Sequence, residues 1–222
     1  MTVFISKNVV YDPLLELLQS NGIQLIDQPL ITFEAVDFIC PDSADYSNIF
    51  FSSPRAVEYY LNRCTVLANT RIASIGKATS EALKARNCTI DFEGDKSGQP
   101  GEVARAFTTF AEGKTVLFPQ SDRSNRSMQQ RLPSEQVVDL VVYKTLLQPR
   151  TFSPAPSVLV FTSPSNAEAY LRKNSILETQ TIITWGQTTA AFLNEESIDV
   201  HHSLRHSTFQ ELTVYLEHLI RA

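Results

Sequence analysis

The chain of 222 residues is long enough for one or two domains, and its 43% hydrophobic and 19% charged residues are ordinary for a soluble protein. Its formal net charge of -5 argues against nonspecific nucleic-acid binding. No apolar segment approaches the ~20 residues that a membrane helix needs, and the apolar run at the N-terminus is too short for a signal peptide. We therefore expect a soluble protein that binds neither nucleic acid nor membrane.

The cysteines and histidines do not suggest a metal centre. Cys40, Cys64 and Cys88 form no CxxC pair, and an odd count without an export signal predicts free thiols in a cytoplasmic protein. His202 and His206 are four residues apart, but they precede the last predicted helix, and no cysteine or carboxylate completes a ligand set. We therefore predict no metal site.

Short apolar strands alternate with helices along the chain. TVFIS is a predicted strand, Asp12-Pro13 is predicted to cap a short helix, LLELLQSN, which Gly22 ends, and IQLI is a second strand followed by the extended run PLITFEA. Later, helices are predicted over residues 102–110 and roughly 125–132, around the strand TVLFP and before the run VVDLVVYKTLL. This alternation indicates parallel sheets covered on both faces. The runs PLITFEA and VVYKTLLQP are predicted to pair as a bridge between two domains.

One long segment of the chain occurs twice. Residues 49–90 align with residues 159–200 without an insertion or deletion. Two generic βαβα segments would share apolar periodicity, but they would not share Ser-Pro and Gly at one fixed spacing. Identical pairs in the alignment include Phe51 and Phe161, Ser53 and Ser163, Pro54 and Pro164, Tyr60 and Tyr170, Gly76 and Gly186, and Thr79 and Thr189.

Each copy of this repeat is predicted to present two helix N-termini at the ends of two strands. Ser53 and Ser163 are good N-caps before a proline at the first helical position. Gly76 and Gly186 end the next strand and remove the side chain where a ligand would come closest, although a plain tight turn would also use a glycine. Helix N-termini hold carboxylates and phosphates, so the duplicated pattern favours an anionic ligand.

The set FFSSPRAVEYY, IASIGKATSEAL, TVLFPQSDRSNR, VVDLVVYKT, VFTSPSNAEAYL and WGQTTAAFL, in this order, resembles the uroporphyrinogen-III synthase family. The resemblance implies an α/β fold with two flavodoxin-like parallel-sheet domains, a two-stranded linker, and an active site in the cleft between the domains. It also implies that one domain is discontinuous, with residues 1–30 and 148–222, and that residues 31–147 form the other. The chain departs from the family at Gln120-Ser121, where Arg-Gly is common.

The resemblance further implies a cofactor-independent, monomeric, cytoplasmic lyase that acts on hydroxymethylbilane, a linear polycarboxylate. The enzyme would close this substrate to uroporphyrinogen III with inversion of ring D through a spiro intermediate. The alternative is a noncatalytic module that binds anions or tetrapyrroles. Residues expected to bind the substrate are Ser53, Arg55, Gly76, Lys77, Ala78, Thr79, Ser121, Arg126, Ser163, Ser165, Gly186, Gln187, Thr188 and Thr189.

Tyr143 is the expected catalytic residue, because it ends the run LVVY where the family places a tyrosine that faces the cleft. It would donate a proton or a hydrogen bond to the leaving hydroxyl. Composition alone would favour a strand aromatic that packs on a domain face. Thr79 and Thr189 have a similar alternative, since each could simply cap its own helix.

Overall fold

A computed structural model describes residues 1–42, 45–94 and 100–221 of the chain. They form two compact units, which we call unit 1 (Met1–Thr32 and Leu146–Ala222) and unit 2 (Phe33–Thr145). The chain therefore passes between the units twice. Each passage lies inside a strand, and the two strands are hydrogen-bonded neighbours.

Helices and strands alternate along most of the described chain. In order they are β1 (Thr2–Ile5), α1 (Asp12–Ser20), β2 (Gln24–Asp27), β3 (Ile31–Ala35), β4 (Asn48–Phe51), α2 (Pro54–Leu61), β5 (Arg71–Ser74), α3 (Lys77–Lys84), β6 (Phe92–Glu93), α4 (Pro100–Ala111), β7 (Val116–Ser121), β8 (Val137–Leu147), β9 (Val158–Phe161), α5 (Pro164–Leu171), β10 (Thr181–Thr184), α6 (Gln187–Glu195), β11 (His202–Ser203) and α7 (Phe209–Arg221).

Unit 1 is built on a parallel five-stranded sheet in the order β11-β10-β9-β1-β2. Val3 lies opposite Leu25 on one side and Val158 on the other. All four residues of β9 are buried, as expected for a strand covered by helices on both faces. One apolar cluster contains Leu14 and Leu212, and the cluster on the other face contains Tyr170.

Unit 2 contains a six-stranded sheet in the order β3-β8-β7-β4-β5-β6, and its strands from β8 to β6 are parallel. The strand β3 runs opposite to β8, because Val36 N donates to Val142 O at 3.2 Å while Gln148 N donates to Leu30 O at 2.7 Å. The predicted pairing of the two extended runs is therefore present. A bulge between Gln120 and Ser121 brings Ser121 opposite Tyr143.

The helices of the repeat begin where the sequence predicts. Ser53 Oγ accepts a hydrogen bond from Ala56 N at 3.1 Å, and Ser163 Oγ accepts one from Asn166 N at 3.3 Å. At the start of α7, Glu211 N donates to Thr208 Oγ1 at 3.2 Å, which is half of a capping box. Among the described residues, no helix combines the length and the apolar composition that a membrane crossing requires.

The prediction of a helix near residues 125–132 is wrong. Only Gln129–Arg131 forms a short 3₁₀ turn there. Arg126 has a φ of 52°, a left-handed conformation that ends regular helix geometry, and its N–H donates to Ser124 Oγ at 3.2 Å. Local side-chain hydrogen bonding of this kind competes with helix formation.

The expectation of three free thiols is also wrong. Cys40 and Cys64 form a disulfide with a Cα–Cα distance of 5.8 Å, and Cys88 is free. The segment after β3 packs on the end of α2, with Phe38 stacked on Tyr60 at 6.3 Å, and this packing places the two cysteines together. Spacing rules for nearby cysteines cannot detect a pair that tertiary packing creates.

Candidate functional site

Polar groups of unit 2 collect at the carboxyl edge of its parallel sheet. The strands β4 and β5 are neighbours, and they lead into the N-termini of α2 and α3 at this edge. Ser53 is the N-cap of α2, and its Oγ also lies 3.5 Å from Tyr143 Oη. The structure therefore brings together a predicted binding residue and the predicted catalytic residue.

Tyr143 is enclosed by aromatic side chains and is only 8% exposed. The Tyr59 ring stacks on it with centroids 5.2 Å apart and an interplanar angle of 17°. Phe33 meets its ring edge-on at 5.8 Å and 70°. The phenol ring therefore contacts two aromatic rings, and its hydroxyl lies near Ser53.

Burial raises the pKa of the Tyr143 phenol above its usual value, and the hydrogen bond with Ser53 and the positive charge of Arg55 only partly offset this effect. The negative charge of Asp122 raises the pKa further. The phenol therefore stays protonated at neutral pH and can act as a hydrogen-bond donor. Complete loss of its proton is correspondingly unfavourable.

Arg55 lies with its guanidinium carbon 3.5 Å from the centroid of the Phe33 ring. A guanidinium that stacks on a ring uses its flat face and keeps its N–H groups available in its own plane. Arg55 is in the first turn of α2, and this arrangement suits two parallel hydrogen bonds to a carboxylate beside the helix N-terminus.

The start of α3 offers backbone donors more than side chains. Lys77 and Ala78 are exposed, and Lys77 Nζ lies 4.0 Å from a carboxylate oxygen of Glu81. Thr79 is 1% exposed, so its hydroxyl faces the interior of unit 2. Gly76 is extended, at φ 163° and ψ -175°, which any residue can adopt. A tight turn, the alternative explanation for this glycine, is therefore not what requires it.

Unit 1 carries the matching N-termini of α5 and α6. Gln187 and Thr188 are exposed, and Thr189 is 3% exposed, like Thr79 in unit 2. Gly186 is also extended, at φ 174°, so a tight turn does not explain this glycine either. A Cβ added at Gly186 would lie 3.3 Å from Ser207 Oγ, so the glycine keeps space free at this helix end.

The two Ser-Pro caps differ in what contacts the serine. Ser163 Oγ accepts a hydrogen bond from Asn166 Nδ2 at 2.9 Å, and Asn166 Oδ1 in turn accepts one from Leu30 N at 2.8 Å. Asn166 is 3% exposed. The neighbouring Ser165 is partly exposed. Unit 1 therefore uses a buried amide where unit 2 has the Tyr143 phenol.

Ser121 and Arg126 are held by residues of their own unit. Ser121 Oγ donates to Asp122 Oδ1 at 2.9 Å and lies 3.0 Å from Thr145 Oγ1. Arg126 forms an ion pair with Asp139 at 2.6 Å. Asp139 lies opposite Phe118, away from the carboxyl edge, so Arg126 is not brought to the Ser53–Tyr143 pair.

Sequence reasoning missed several residues beside the predicted ones. Tyr59 follows Arg55 by one helical turn, and this spacing could have indicated that both lie on one face of α2. Phe33 lies in the extended run PLITFEA, and no local signal marks its contact with Tyr143. In unit 1, Lys7 Nζ lies 5.4 Å from the Trp185 ring centroid, beside the N-terminus of α6.

The C-terminal histidines do not form a metal centre. The His202 ring stacks on Tyr215 with centroids 4.0 Å apart. The Glu211 carboxylate accepts hydrogen bonds from Arg205 N at 2.7 Å and His206 N at 2.8 Å. Within the described residues, no group of three or more His, Cys, Asp or Glu side chains could hold a metal ion.

These features define a two-domain α/β protein with helix N-termini and a buried tyrosine at the carboxyl ends of parallel strands. A family model described as uroporphyrinogen-III synthase HemD matches residues 12–213. Because it matches most of the chain, the protein belongs to the uroporphyrinogen-III synthase family. Its activity is that of a cofactor-independent, cyclising lyase of tetrapyrrole and heme biosynthesis. The family match confirms the resemblance found in the sequence.

Individual relatives agree with this family assignment. A uroporphyrinogen-III synthase of Chlorobaculum parvum (strain DSM 263 / NCIMB 8327) is 24% identical over 213 residues, covering 85% of this chain and 86% of that protein. The crystal structure of uroporphyrinogen-III synthetase from Helicobacter pylori 26695 has a TM-score of 0.69 at 21% identity and covers 99% of both chains. A mutant uroporphyrinogen III synthase from the extremely thermophilic bacterium Thermus thermophilus has a TM-score of 0.63 at 13% identity and covers 100% of both chains. The two structures support the fold.

Proposed function

We propose that the chain converts hydroxymethylbilane to uroporphyrinogen III and that Tyr143 assists departure of the substrate hydroxyl. The observation that carries this proposal is the 3.5 Å approach of Tyr143 Oη to Ser53 Oγ at the N-terminus of α2. It places a buried phenol beside backbone N–H groups that suit the substrate carboxylates.

The chemistry requires a donor at the leaving hydroxyl. Breaking the carbon–oxygen bond expels hydroxide and leaves a delocalised azafulvene cation, and the proton released when the macrocycle closes converts that hydroxide to water overall. The terminal pyrrole then attacks through its substituted carbon, and the spiro intermediate fragments and recloses with ring D inverted. Because the pKa of Tyr143 is raised, we assign this residue a hydrogen bond to the departing oxygen rather than complete proton transfer.

Recognition of the carboxylates would rest mainly on backbone donors. The chain has a net charge of -5, so attraction by overall charge is absent. A carboxylate at a helix N-terminus gains ~0.3–1 kcal/mol when exposed and up to ~2 kcal/mol when partly buried. The proposed donors are the backbone N–H groups near Ser53, Gly76, Lys77, Ala78, Ser163, Gly186, Gln187 and Thr188.

Among side chains, Arg55 is the proposed carboxylate ligand of unit 2. Its stack on Phe33 fixes the plane of the guanidinium before the substrate arrives. We do not assign carboxylate binding to the hydroxyls of Thr79 and Thr189, because both are buried. Nor do we assign it to Arg126, because Arg126 is paired with Asp139.

We also propose that each unit binds substrate carboxylates at its own helix N-termini and that the protein acts as a cytoplasmic monomer. Each unit supplies two helix N-termini from one copy of the repeat. A single chain therefore contains the complete set of proposed donors and requires no partner subunit or nucleic acid.

The direct test supplies enzymatically made hydroxymethylbilane and separates the product isomers by chromatography. The expected product is the inverted isomer, uroporphyrinogen III. A parallel sample without protein should give the uninverted isomer, because closure without the enzyme proceeds without inversion. If the protein binds the substrate but the product matches the protein-free sample, the chain is a noncatalytic binding module.

A further inference from the structure

Tyr59 distinguishes the two copies of the repeat. In unit 2 its ring stacks on Tyr143 at 5.2 Å. The residue aligned with Tyr59 in the second copy is Ala169, which is fully buried. The packing that the two copies share therefore does not require an aromatic ring at this position, and in unit 2 the ring contacts the proposed catalytic phenol.

The hydroxyl contact alone does not fix Tyr143. A distance of 3.5 Å between Tyr143 Oη and Ser53 Oγ is at the outer limit for a hydrogen bond, and Ser53 Oγ also accepts Ala56 N at 3.1 Å. Since this bond is long and shared, the ring contacts determine most of the phenol's orientation. A parallel ring on one face restricts rotation about the Cβ–Cγ bond of Tyr143, and an edge contact restricts the tilt of the ring.

The residues around the phenol belong to rigid elements. Ser53, Arg55 and Tyr59 are carried by one helix and its cap, with Arg55 and Tyr59 four residues apart on one face. Phe33 lies on β3 and contacts both Tyr143 and Arg55. The helix α2 and its cap therefore determine the positions of three groups together: the Ser53 hydroxyl, the Arg55 guanidinium and the Tyr59 ring.

We infer that Tyr59 is a positioning residue for the reaction, holding the Tyr143 phenol by ring stacking so that its hydroxyl meets the leaving oxygen. This inference rests on the proposed role of Tyr143. Tyr59 acts through its ring, and neither its hydroxyl nor direct contact with substrate is required. Loss of the ring lets the phenol sample orientations in which it cannot donate to the substrate.

The test compares variants in two backgrounds. Tyr59→Met keeps a helix-forming apolar side chain but removes the ring, and it should lower kcat about tenfold with KM nearly unchanged. Tyr59→Phe restores the ring and should stay within about twofold of wild type. In the Tyr143→Phe background, Tyr59→Met should cause less than about a twofold further loss, because the hydroxyl that it positions is gone.

Tyr215→Leu serves as the matched control, since it removes a stacked tyrosine from α7 in unit 1. Its kcat should equal that of wild type even if its melting temperature falls. All rates are measured below the melting temperature of each variant, and Tyr59→Leu replaces Tyr59→Met if the latter does not fold.

Two outcomes would overturn the inference: wild-type kcat in the ring-deleted variant, or the same loss in both backgrounds. Failure of the underlying assignment is distinct, because Tyr143→Phe alone would then turn over at the wild-type rate.

Discussion

Ser53 Oγ lies 3.5 Å from the phenol oxygen of Tyr143, whereas Ser163 Oγ, at the equivalent cap of the second copy, accepts the Asn166 amide at 2.9 Å. The two serines have nearly the same backbone conformation, at φ -159° and -161°. Their different partners show how one repeated unit supplies two roles. Unit 1 places a buried amide at its cap, while unit 2 places the Tyr143 phenol there.

Replacement of the phenol tests its role directly. Tyr143→Phe should keep the fold, because the ring contacts with Tyr59 and Phe33 remain. Turnover of hydroxymethylbilane should fall between roughly tenfold and a thousandfold, near or below the usual range for one acid-base group. The remaining product should be mostly the inverted isomer, since the shape of the site and not this hydroxyl directs ring closure.

Turnover by rapid quench, with isomer analysis of the same samples, checks this prediction. Wild-type turnover in the Phe variant would remove Tyr143 from the mechanism. Full-rate consumption that yields the uninverted isomer would instead assign the hydroxyl to folding of the substrate.

The stacked arginine offers a second test. Arg55→Ala should lower kcat/KM, with a loss of about 1–2 kcal/mol of transition-state stabilisation, as for loss of one charge-assisted hydrogen bond. Arg55→Lys should restore little, because an ammonium cannot reproduce a stacked, bidentate guanidinium. Steady-state kinetics measures both variants.

Arg71→Ala is the matched control for Arg55. Arg71 lies in unit 2 with its guanidinium carbon 3.8 Å from the Phe110 ring centroid and is paired with Glu112 at 3.5 Å. Its removal should leave kcat/KM unchanged. Complete inactivity of Arg55→Ala would mean that a point charge, rather than backbone donors, dominates recognition.

Local signals predicted the starts of α2 and α5, but Asp12, the predicted cap of α1, lies inside that helix, whose N-cap is Tyr11. They also could not predict the surroundings of Tyr143. The caps at Ser53 and Ser163 depend on residues within one helical turn. The rings of Phe33 and Tyr59 reach Tyr143 only because β3 pairs with β8 and α2 packs over the sheet. Such contacts join distant segments, so no spacing in the sequence encodes them.

The same limit explains the failures of sequence reasoning. Cys40 and Cys64 are 24 residues apart, and only packing of the segment after β3 brings them together. For Gly76 and Gly186, the sequence left a tight turn open beside a ligand site, and only the extended backbone at both positions excludes the tight turn. A glycine that leaves space cannot be distinguished by sequence from one that allows a positive φ.

Substitutions at Gly186 therefore test whether the space left by its missing side chain is needed for substrate binding, because they introduce no backbone strain. Gly186→Ala should change the free energy of unfolding by less than about 0.5 kcal/mol, because φ is 174° and the Cβ meets only the end of a serine side chain. Gly186→Val should lower activity more than Arg55→Ala does, since its branches block access to the N-terminus of α6. Urea unfolding and steady-state kinetics separate the two effects.

Gly22→Ala is the contrasting control, because Gly22 has a φ of 64°. This change should destabilise the protein by about 1 kcal/mol and leave kcat/KM unchanged. Equal activity of Gly186→Val and wild type would exclude substrate contact at this helix end.

The disulfide predicts a redox-dependent stability. Reduction, or Cys40→Ser, should lower the free energy of unfolding by about 3 kcal/mol, the loop-closure estimate for a separation of 24 residues. Cys88→Ser should have little effect, since Cys88 is free. Chemical denaturation with and without dithiothreitol, together with mass spectrometry of the disulfide, makes the comparison. Equal stability in both conditions would show that the bridge adds nothing to the fold.

Buried phenols predict a loss of stability at high pH. Burial raises the pKa of Tyr60, Tyr143 and Tyr170 in the folded protein, whereas tyrosines in the unfolded chain titrate near about 10. Above about pH 10 the unfolded chain has released protons that the folded chain keeps, so unfolding releases protons and rising pH favours it. The free energy of unfolding should therefore be unaffected by these groups below about pH 9 and should fall above about pH 10. Urea unfolding at several pH values checks the sign, and Tyr143→Phe should give a shallower decline; a slope equal to that of wild type would mean that its phenol ionises alike in both states.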